Sequence, residues 1–112
     1  MIRYTYRAEW SPERRSYFGT CLEFPQLFAV GLSAAEAVAR MEQIVADEVR
    51  DRLACEVPLP DSLTDRHYSG KFVLRTSEAM HAKLTVEAAE QGVSLNQLVV
   101  QKLAARPPSL DF

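Results

Sequence analysis

The segment from Ser69 to Leu103 constrains the fold more than any other part of this chain. Its pattern predicts one short strand followed by two short amphipathic helices, each preceded by a capping residue. These elements are too few to enclose a core, because they leave an unpaired backbone edge and an uncovered apolar face. The sequence therefore predicts a symmetric second chain that supplies the missing strand.

The predicted strand has two different faces. Alternation places Phe72 and Leu74 on one face, and Lys71, Val73 and Arg75 on the other. Two such strands, paired antiparallel across a two-fold axis, form a ribbon that fits the major groove of DNA, where Lys and Arg donate to guanine. Val73 offers an apolar contact, for instance to a thymine methyl. The alternative is an ordinary edge strand with a solvated charged face.

Both predicted helices have start signals and apolar stripes. Ser77 caps the first helix and Gly92 ends it, with a buried stripe at Met80, Leu84 and Ala88. Ser94 caps the second helix, which ends by Pro107 and Pro108 and has its apolar face at Leu95, Leu98, Val99 and Leu103.

The start of the second helix is a candidate phosphate site. Free backbone N–H groups around Leu95 and Asn96, together with the helix dipole, favour an anion there. Two interpretations of Ser94 stay open. It is a cap and nothing more, or it caps a helix end that also binds the DNA backbone.

The run GKFVLRTSEAMHAKL followed by GVSLNQLVVQKL resembles the C-terminal ribbon-helix-helix domain of HicB family antitoxins, a branch of the MetJ/Arc-type DNA-binding superfamily. The resemblance implies a fold that exists only as an intertwined dimer. It also implies that Lys71, Val73 and Arg75 face the DNA groove, and that Leu95 and Asn96 follow Ser94 at a phosphate-binding helix start.

The first part of the chain predicts a small sheet with one helix. Strands are expected over 2–10, 17–22 and 27–30, with a hairpin loop at 11–16. A helix is expected from Ser33, where Ser33 and Glu36 have capping-box spacing. Its buried stripe is predicted at Ala37, Met41, Ile44 and Val45, extended by Val49 and Leu53.

These elements predict an α+β fold: an N-terminal antiparallel sheet of three to four strands with one packed helix, then a ribbon-helix-helix that dimerises. The N-terminal order is similar to the HicB N-terminal domain, a partial RNase H-like fold. The phrase EFPQLFAVGLSAAEAVARM departs from the commoner family wording, which often has Gly-Cys after the Pro turn. We place the domains at 1–68, with a linker over about 56–68, and at 69–112.

Catalysis is not expected. A two-metal nuclease needs converging carboxylates, whereas the strands supply only Glu9 and Glu23 and the helical Asp47 and Asp51 are interleaved with Arg. The sequence therefore predicts no enzyme, no metal and no cofactor. Cys21 and Cys55 lack metal-ligand spacing and are predicted to be reduced and mostly buried, as in a cytoplasmic protein.

Composition sets the class and the charge balance. A chain of 112 residues with 47% hydrophobic content is globular, and it has neither a membrane-length apolar run nor a signal-peptide core at its N-terminus. Residues 1–69 carry eight Lys or Arg and eleven Asp or Glu, whereas residues 70–112 carry five and four. The acidic first part suits a basic protein partner.

The resemblance implies a type II antitoxin. Its first domain would neutralise a HicA-like mRNA-cleaving toxin, and its second would bind operator DNA as a homodimer and repress the shared operon. Whether dimers assemble further stays open. A ligand-responsive ribbon-helix-helix repressor without a toxin is the alternative, and a residual ribonuclease is a third interpretation.

Overall fold

The computed structural model describes residues 2–105, which form two compact units, Met1–Tyr68 and Ser69–Phe112. The first unit contains three strands and one helix, and the second contains two helices. A three-stranded antiparallel sheet followed by helices confirms the predicted α+β class. Within the described residues, no helix is both long and apolar enough to cross a membrane.

The sheet has the order β1-β2-β3, with both neighbouring pairs antiparallel. Its strands are β1 at Tyr6–Ser11, β2 at Ser16–Cys21 and β3 at Phe28–Gly31. The prediction that β1 begins at Ile2 is wrong. The register ends at the Tyr6–Cys21 pair, because the chain turns after Cys21 and leaves residues 2–5 without a strand partner.

Helix α1 spans Ala34–Ala54 and packs on one face of the sheet. A Cβ added to Gly19 of β2 would lie 2.6 Å from the Ala37 carbonyl oxygen, so only glycine allows this close approach. The Ser33 cap is confirmed, since its Oγ accepts from the Glu36 backbone N–H at 3.1 Å. The Glu36 carboxylate does not complete the capping box by accepting from the Ser33 backbone N–H. It pairs with Arg40 one turn later, at 2.7 Å.

The core of the first unit lies between the helix and the sheet. Tyr4 meets Phe24 edge to face with ring centroids 5.1 Å apart. The buried residues of this core are Tyr4, Cys21, Phe24, Ala29, Met41 and Val45, with Ile44 and Val49 packed against them.

Leu53 and Cys55, which were predicted to be buried, are exposed, and so is Trp10. Leu53 is 63% exposed, because the covered part of the α1 stripe ends at Val49. Trp10 is 52% exposed at the hairpin end of an edge strand, where it contacts Tyr17. Cys55 is exposed just after α1, so the prediction of two buried thiols holds only for Cys21.

In the second unit, α2 spans Glu78–Gln91 and α3 spans Leu95–Ala105. The Ser77 cap is confirmed by a 3.1 Å hydrogen bond from the Met80 backbone N–H. Gly92 ends α2 as predicted, with φ 69° in the left-handed region that glycine adopts without strain. The predicted helix end at Pro107 and Pro108 lies outside the described residues.

Candidate nucleic-acid interface

The segment 71–76, which was predicted to be a strand, lies on the surface of the second unit and does not form a strand within one chain, because it has no strand partner among the described residues. Phe72 is 80% exposed, Val73 88% and Leu74 63%. Phe72 and Leu74 were predicted as the core-facing side of this strand, and the described residues of one chain leave both of them largely exposed. Large apolar side chains at this exposure are costly in water unless a further surface covers them.

An open groove of about 950 Å³ runs between this segment and the two helices. Its apolar lining comes from both sides, so the groove is a continuous uncovered surface. The apolar lining residues are Phe72, Leu74, Leu84, Leu95, Val99, Val100 and Leu103.

The predicted apolar stripes of the helices are only partly covered. Ala88 is 4% exposed and Leu98 2% exposed, and they are the buried hydrophobic residues among the described residues of this unit. Met80 is 48% exposed and Leu103 56% exposed, so their predicted burial is not met within one chain. The reason is physical: two helices bury only the seam between them, and the rest of each stripe lines or borders the groove.

The candidate base-contacting residues are distributed around this groove. Lys71 and Arg75 line it together with Phe72 and Leu74, whereas Val73 does not line it and points to solvent. Glu78 and His81 of α2 also line the groove. Two basic side chains and one carboxylate therefore lie along a largely apolar groove that Thr76, Ser77, His81 and Asn96 also line.

The start of α3 is capped by two hydrogen bonds, whereas the sequence analysis predicted only the cap by Ser94. Ser94 Oγ accepts from the Gln97 backbone N–H at 3.0 Å, and the Gln97 side chain accepts from the Ser94 N–H at 3.0 Å. This is a reciprocal capping box, and the Ser-x-x-Gln spacing is the signal that could have revealed it.

The capping box narrows the candidate phosphate site. Because Ser94 Oγ and the Gln97 N–H bond each other, the donors at this helix end that remain are the N–H groups of Leu95 and Asn96. Both residues line the groove, whereas Ser94 does not. Ser94 therefore holds the helix end in shape, and an anion would be bound by the two residues that follow it.

Two of the carboxylates considered for metal chemistry, Glu23 and Asp47, have other partners, and so does Glu48 on the same helix as Asp47. Asp47 accepts from the side chains of Gln43 and Arg50, and Glu48 pairs with Arg52 at 3.4 Å. Glu23 accepts from the backbone of Thr5 and Leu63. These contacts are those of a surface helix and a structural turn.

The second unit thus combines a segment with two basic side chains, an apolar groove and a helix start with N–H groups available at Leu95 and Asn96, which together define a candidate nucleic-acid-binding module. The family model described as the HicB family matches residues 58–103, less than half of the chain. The match contains α2, most of α3 and every candidate DNA-binding residue. Searches against curated proteins and against solved structures found no match.

Proposed function

We propose that this protein is a HicB-like antitoxin whose second unit, residues 69–112, forms a ribbon-helix-helix dimer that binds operator DNA. The observation that carries the proposal is the uncovered groove beside Lys71 and Arg75. A second copy would place its own segment 71–76 antiparallel to the first, cover Phe72 and Leu74, and leave the alternate side chains facing outward. The HicB family match over 58–103 supports this assignment.

In the proposed complex, the ribbon reads bases and the helix starts fix its register. Lys71 and Arg75 donate to guanine edges, Val73 contacts a thymine methyl, and the N–H groups of Leu95 and Asn96 bind a backbone phosphate. Residues 70–112 carry a net charge of only +1. Each subunit therefore makes few phosphate contacts, and affinity depends on two subunits acting together.

The first unit, residues 1–68, is proposed to bind and neutralise a HicA-like mRNA-cleaving toxin in the cytoplasm. The family match supports a toxin partner, and residues 1–69 carry a net charge of −3, which is complementary to a basic RNA-binding surface. Neutralisation would act by steric cover and charge pairing, with no chemistry performed by this chain.

The DNA-binding proposal is tested with the full chain and its own upstream DNA across a salt series. Arg75→Ala removes a base contact, so specific binding should weaken by roughly 1 to 3 kcal/mol and lose preference at one position. Arg50→Ala is the matched control, because it removes an exposed arginine from the first unit. Equal binding of upstream and random DNA by the unaltered protein would contradict the proposal.

The antitoxin proposal has a separate test. The toxin encoded beside this chain is purified and its RNA cleavage is followed with this protein in molar excess. Cleavage should stop with the unaltered protein and also with Arg75→Ala, because the two functions are assigned to different units. Undiminished cleavage would contradict the toxin partner and leave the DNA-binding proposal standing.

A further inference from the structure

Three segments of the first unit meet at one carboxylate, that of Glu23. It accepts from the Thr5 backbone N–H at 2.9 Å, from the Thr5 hydroxyl at 3.0 Å and from the Leu63 backbone N–H at 3.0 Å. The thiol of Cys21, at the end of β2, lies 3.5 Å away. Glu23 therefore connects the residues before β1, the end of β2, and a position 40 residues further along the chain.

The same stretch of chain is held at two further points. The Tyr4 hydroxyl donates to the Pro60 carbonyl at 2.9 Å, and the Ser62 hydroxyl donates to the Arg3 carbonyl. Ser62 is 7% exposed and Tyr4 9% exposed, so both donor residues are buried and their hydrogen bonds are partly buried. Residues 59–63, called the exit segment below, thus lie against the residues that precede β1 instead of forming a free tether.

A turn continues from the exit segment. The Arg66 N–H donates to the Ser62 carbonyl at 3.1 Å, and the Tyr68 hydroxyl donates to the Leu63 carbonyl at 2.6 Å. This turn carries the chain to the end of the first unit at Tyr68. Whatever anchors Ser62 and Leu63 also anchors this turn.

Glu23 is suited to act as the anchor because its charged form is favoured. Burial alone raises the pKa of this carboxyl, but the backbone N–H groups of Leu63 and Thr5 and the Thr5 hydroxyl together hold the pKa below its ordinary value. Hydrogen bonds from backbone N–H groups to an ionised carboxylate are stronger than those between neutral groups. Among the contacts of the exit segment described above, those through Pro60 and Ser62 join neutral groups, whereas the contact to Glu23 involves an ionised one.

We propose that Glu23 is a clasp that anchors the exit segment and thereby sets how much chain is free between the first unit and the second, which begins at Ser69. With the clasp open, the exit segment is released together with the turn at residues 64–68 that continues from it, and its five residues add about 17 Å of extended reach. A longer tether lowers the effective concentration of one unit for anything bound to the other. The proposal does not depend on the second unit binding DNA or on the first unit binding a toxin.

The test compares ¹⁵N relaxation and amide hydrogen exchange in the full chain. In the unaltered protein, the exit segment should be as ordered as β2. In Glu23→Ala, its amides should become as mobile as an exposed loop, and the Leu63 amide should exchange on the order of tenfold faster or more. Glu13→Ala, on the exposed hairpin turn, should change neither quantity.

A second variant tests the clasp with Glu23 left in place. Leu63→Pro removes the Leu63 N–H donor together with a side chain that is 40% exposed, and it leaves Glu23 in place. Leu63 follows Ser62 at the start of a helical turn closed by the Arg66 N–H and the Ser62 carbonyl, a position that favours proline. The exit segment should become mobile while the signals of Met41 and Val45 stay unchanged. If Glu23→Ala fails to fold, Leu63→Pro decides the question.

Two results would overturn the proposal. One is an exit segment that stays as ordered as β2 in Leu63→Pro and in any folded Glu23→Ala, since Tyr4 and Ser62 would then suffice as anchors. The other is an exit segment that is already mobile in the unaltered protein at neutral pH. Either result would show that Glu23 does not control the free length of this connection.

Discussion

The two units differ in whether their own residues close a core. In the first unit, side chains from the sheet, the turn after β2 and α1 enclose one another, and Met41 is fully buried. In the second unit, the buried hydrophobic residues among those described are Ala88 and Leu98, while Phe72 is 80% exposed. The first unit closes a core within one chain, whereas the described residues of the second unit leave an apolar groove uncovered.

Helix-capping residues are present in both units, so capping does not explain why only the first unit closes a core. Ser33, Ser77 and Ser94 each accept a backbone hydrogen bond at a helix start. What differs is the number of layers, because a helix on a sheet buries both apolar faces and two short helices bury only one seam. Capping determines where helices begin, and closure of a core determines whether a unit is stable alone.

The largest expected effect is in the closed core. Met41→Ala should lower the free energy of unfolding of the first unit by about 2 to 5 kcal/mol, because it leaves a cavity between α1 and the sheet. The chain has one tryptophan, Trp10 on β1, so its fluorescence in urea reports this unit. The loss should not depend on protein concentration.

Leu53→Ala is the matched control on the same helix. Leu53 is 63% exposed, so its truncation should change the free energy of unfolding by less than about 1 kcal/mol. Equal losses for the two variants would mean that the first unit does not have the closed core described above.

Local sequence patterns predicted the helices of both units and the strands of the first unit. Long-range contacts determined where those strands pair and which side chains are buried. Alternation over residues 2–10 indicated one long strand, yet only Tyr6–Ser11 pairs, and Thr5 bonds Glu23 instead. The Glu23–Leu63 contact joins positions 40 apart, and no spacing rule predicts it. Helical periodicity likewise ran on to Leu53, although the covered stripe ends at Val49.

A smaller effect concerns pH and the first unit. The folded state lowers the pKa of Glu23, so the stability that its contacts add is present above the unfolded-state pKa and is lost as pH falls through the folded-state pKa. Urea midpoints of the unaltered protein and Glu23→Gln should therefore differ at neutral pH, and the difference should shrink as pH falls below the unfolded-state pKa and vanish below the lowered folded-state pKa. A gap that is unchanged in acid would contradict the ionised clasp.

The smallest effect is expected at the surface of the second unit. Lys102 on α3 lies 3.1 Å from Glu87 on α2, with the two side chains 49% and 38% exposed. Lys102→Ala should lower the free energy of unfolding of the second unit by at most about 1 kcal/mol. The loss should be smaller at high salt, because such exposed pairs are screened by water and ions. Unfolding followed by circular dichroism of the helices measures this free energy. A loss above about 2 kcal/mol would mean that the contact between α2 and α3 depends on the ion pair rather than on the burial of Leu98.

The candidate site could be predicted only in part, because local patterns do not reveal contacts with distant residues or with a second chain. Alternation assigned Lys71, Val73 and Arg75 to one side of a strand, and capping rules located the α3 start beside Leu95 and Asn96. The proposed ribbon would require hydrogen bonds to a second chain, so the sequence of one chain predicts its side chains but not its pairing. Gln97 was missed although its spacing from Ser94 is a recognised signal.

Sedimentation equilibrium of the full chain over about 1 to 100 μM tests the central claim, that a second copy completes the second unit. If a second copy completes the second unit, the particle should have twice the 12.6 kDa chain mass. In Leu74→Glu it should have the mass of a single chain, while Trp10 fluorescence shows that the first unit is still folded. A single 12.6 kDa particle at every concentration, with α2 and α3 still helical, would contradict the account.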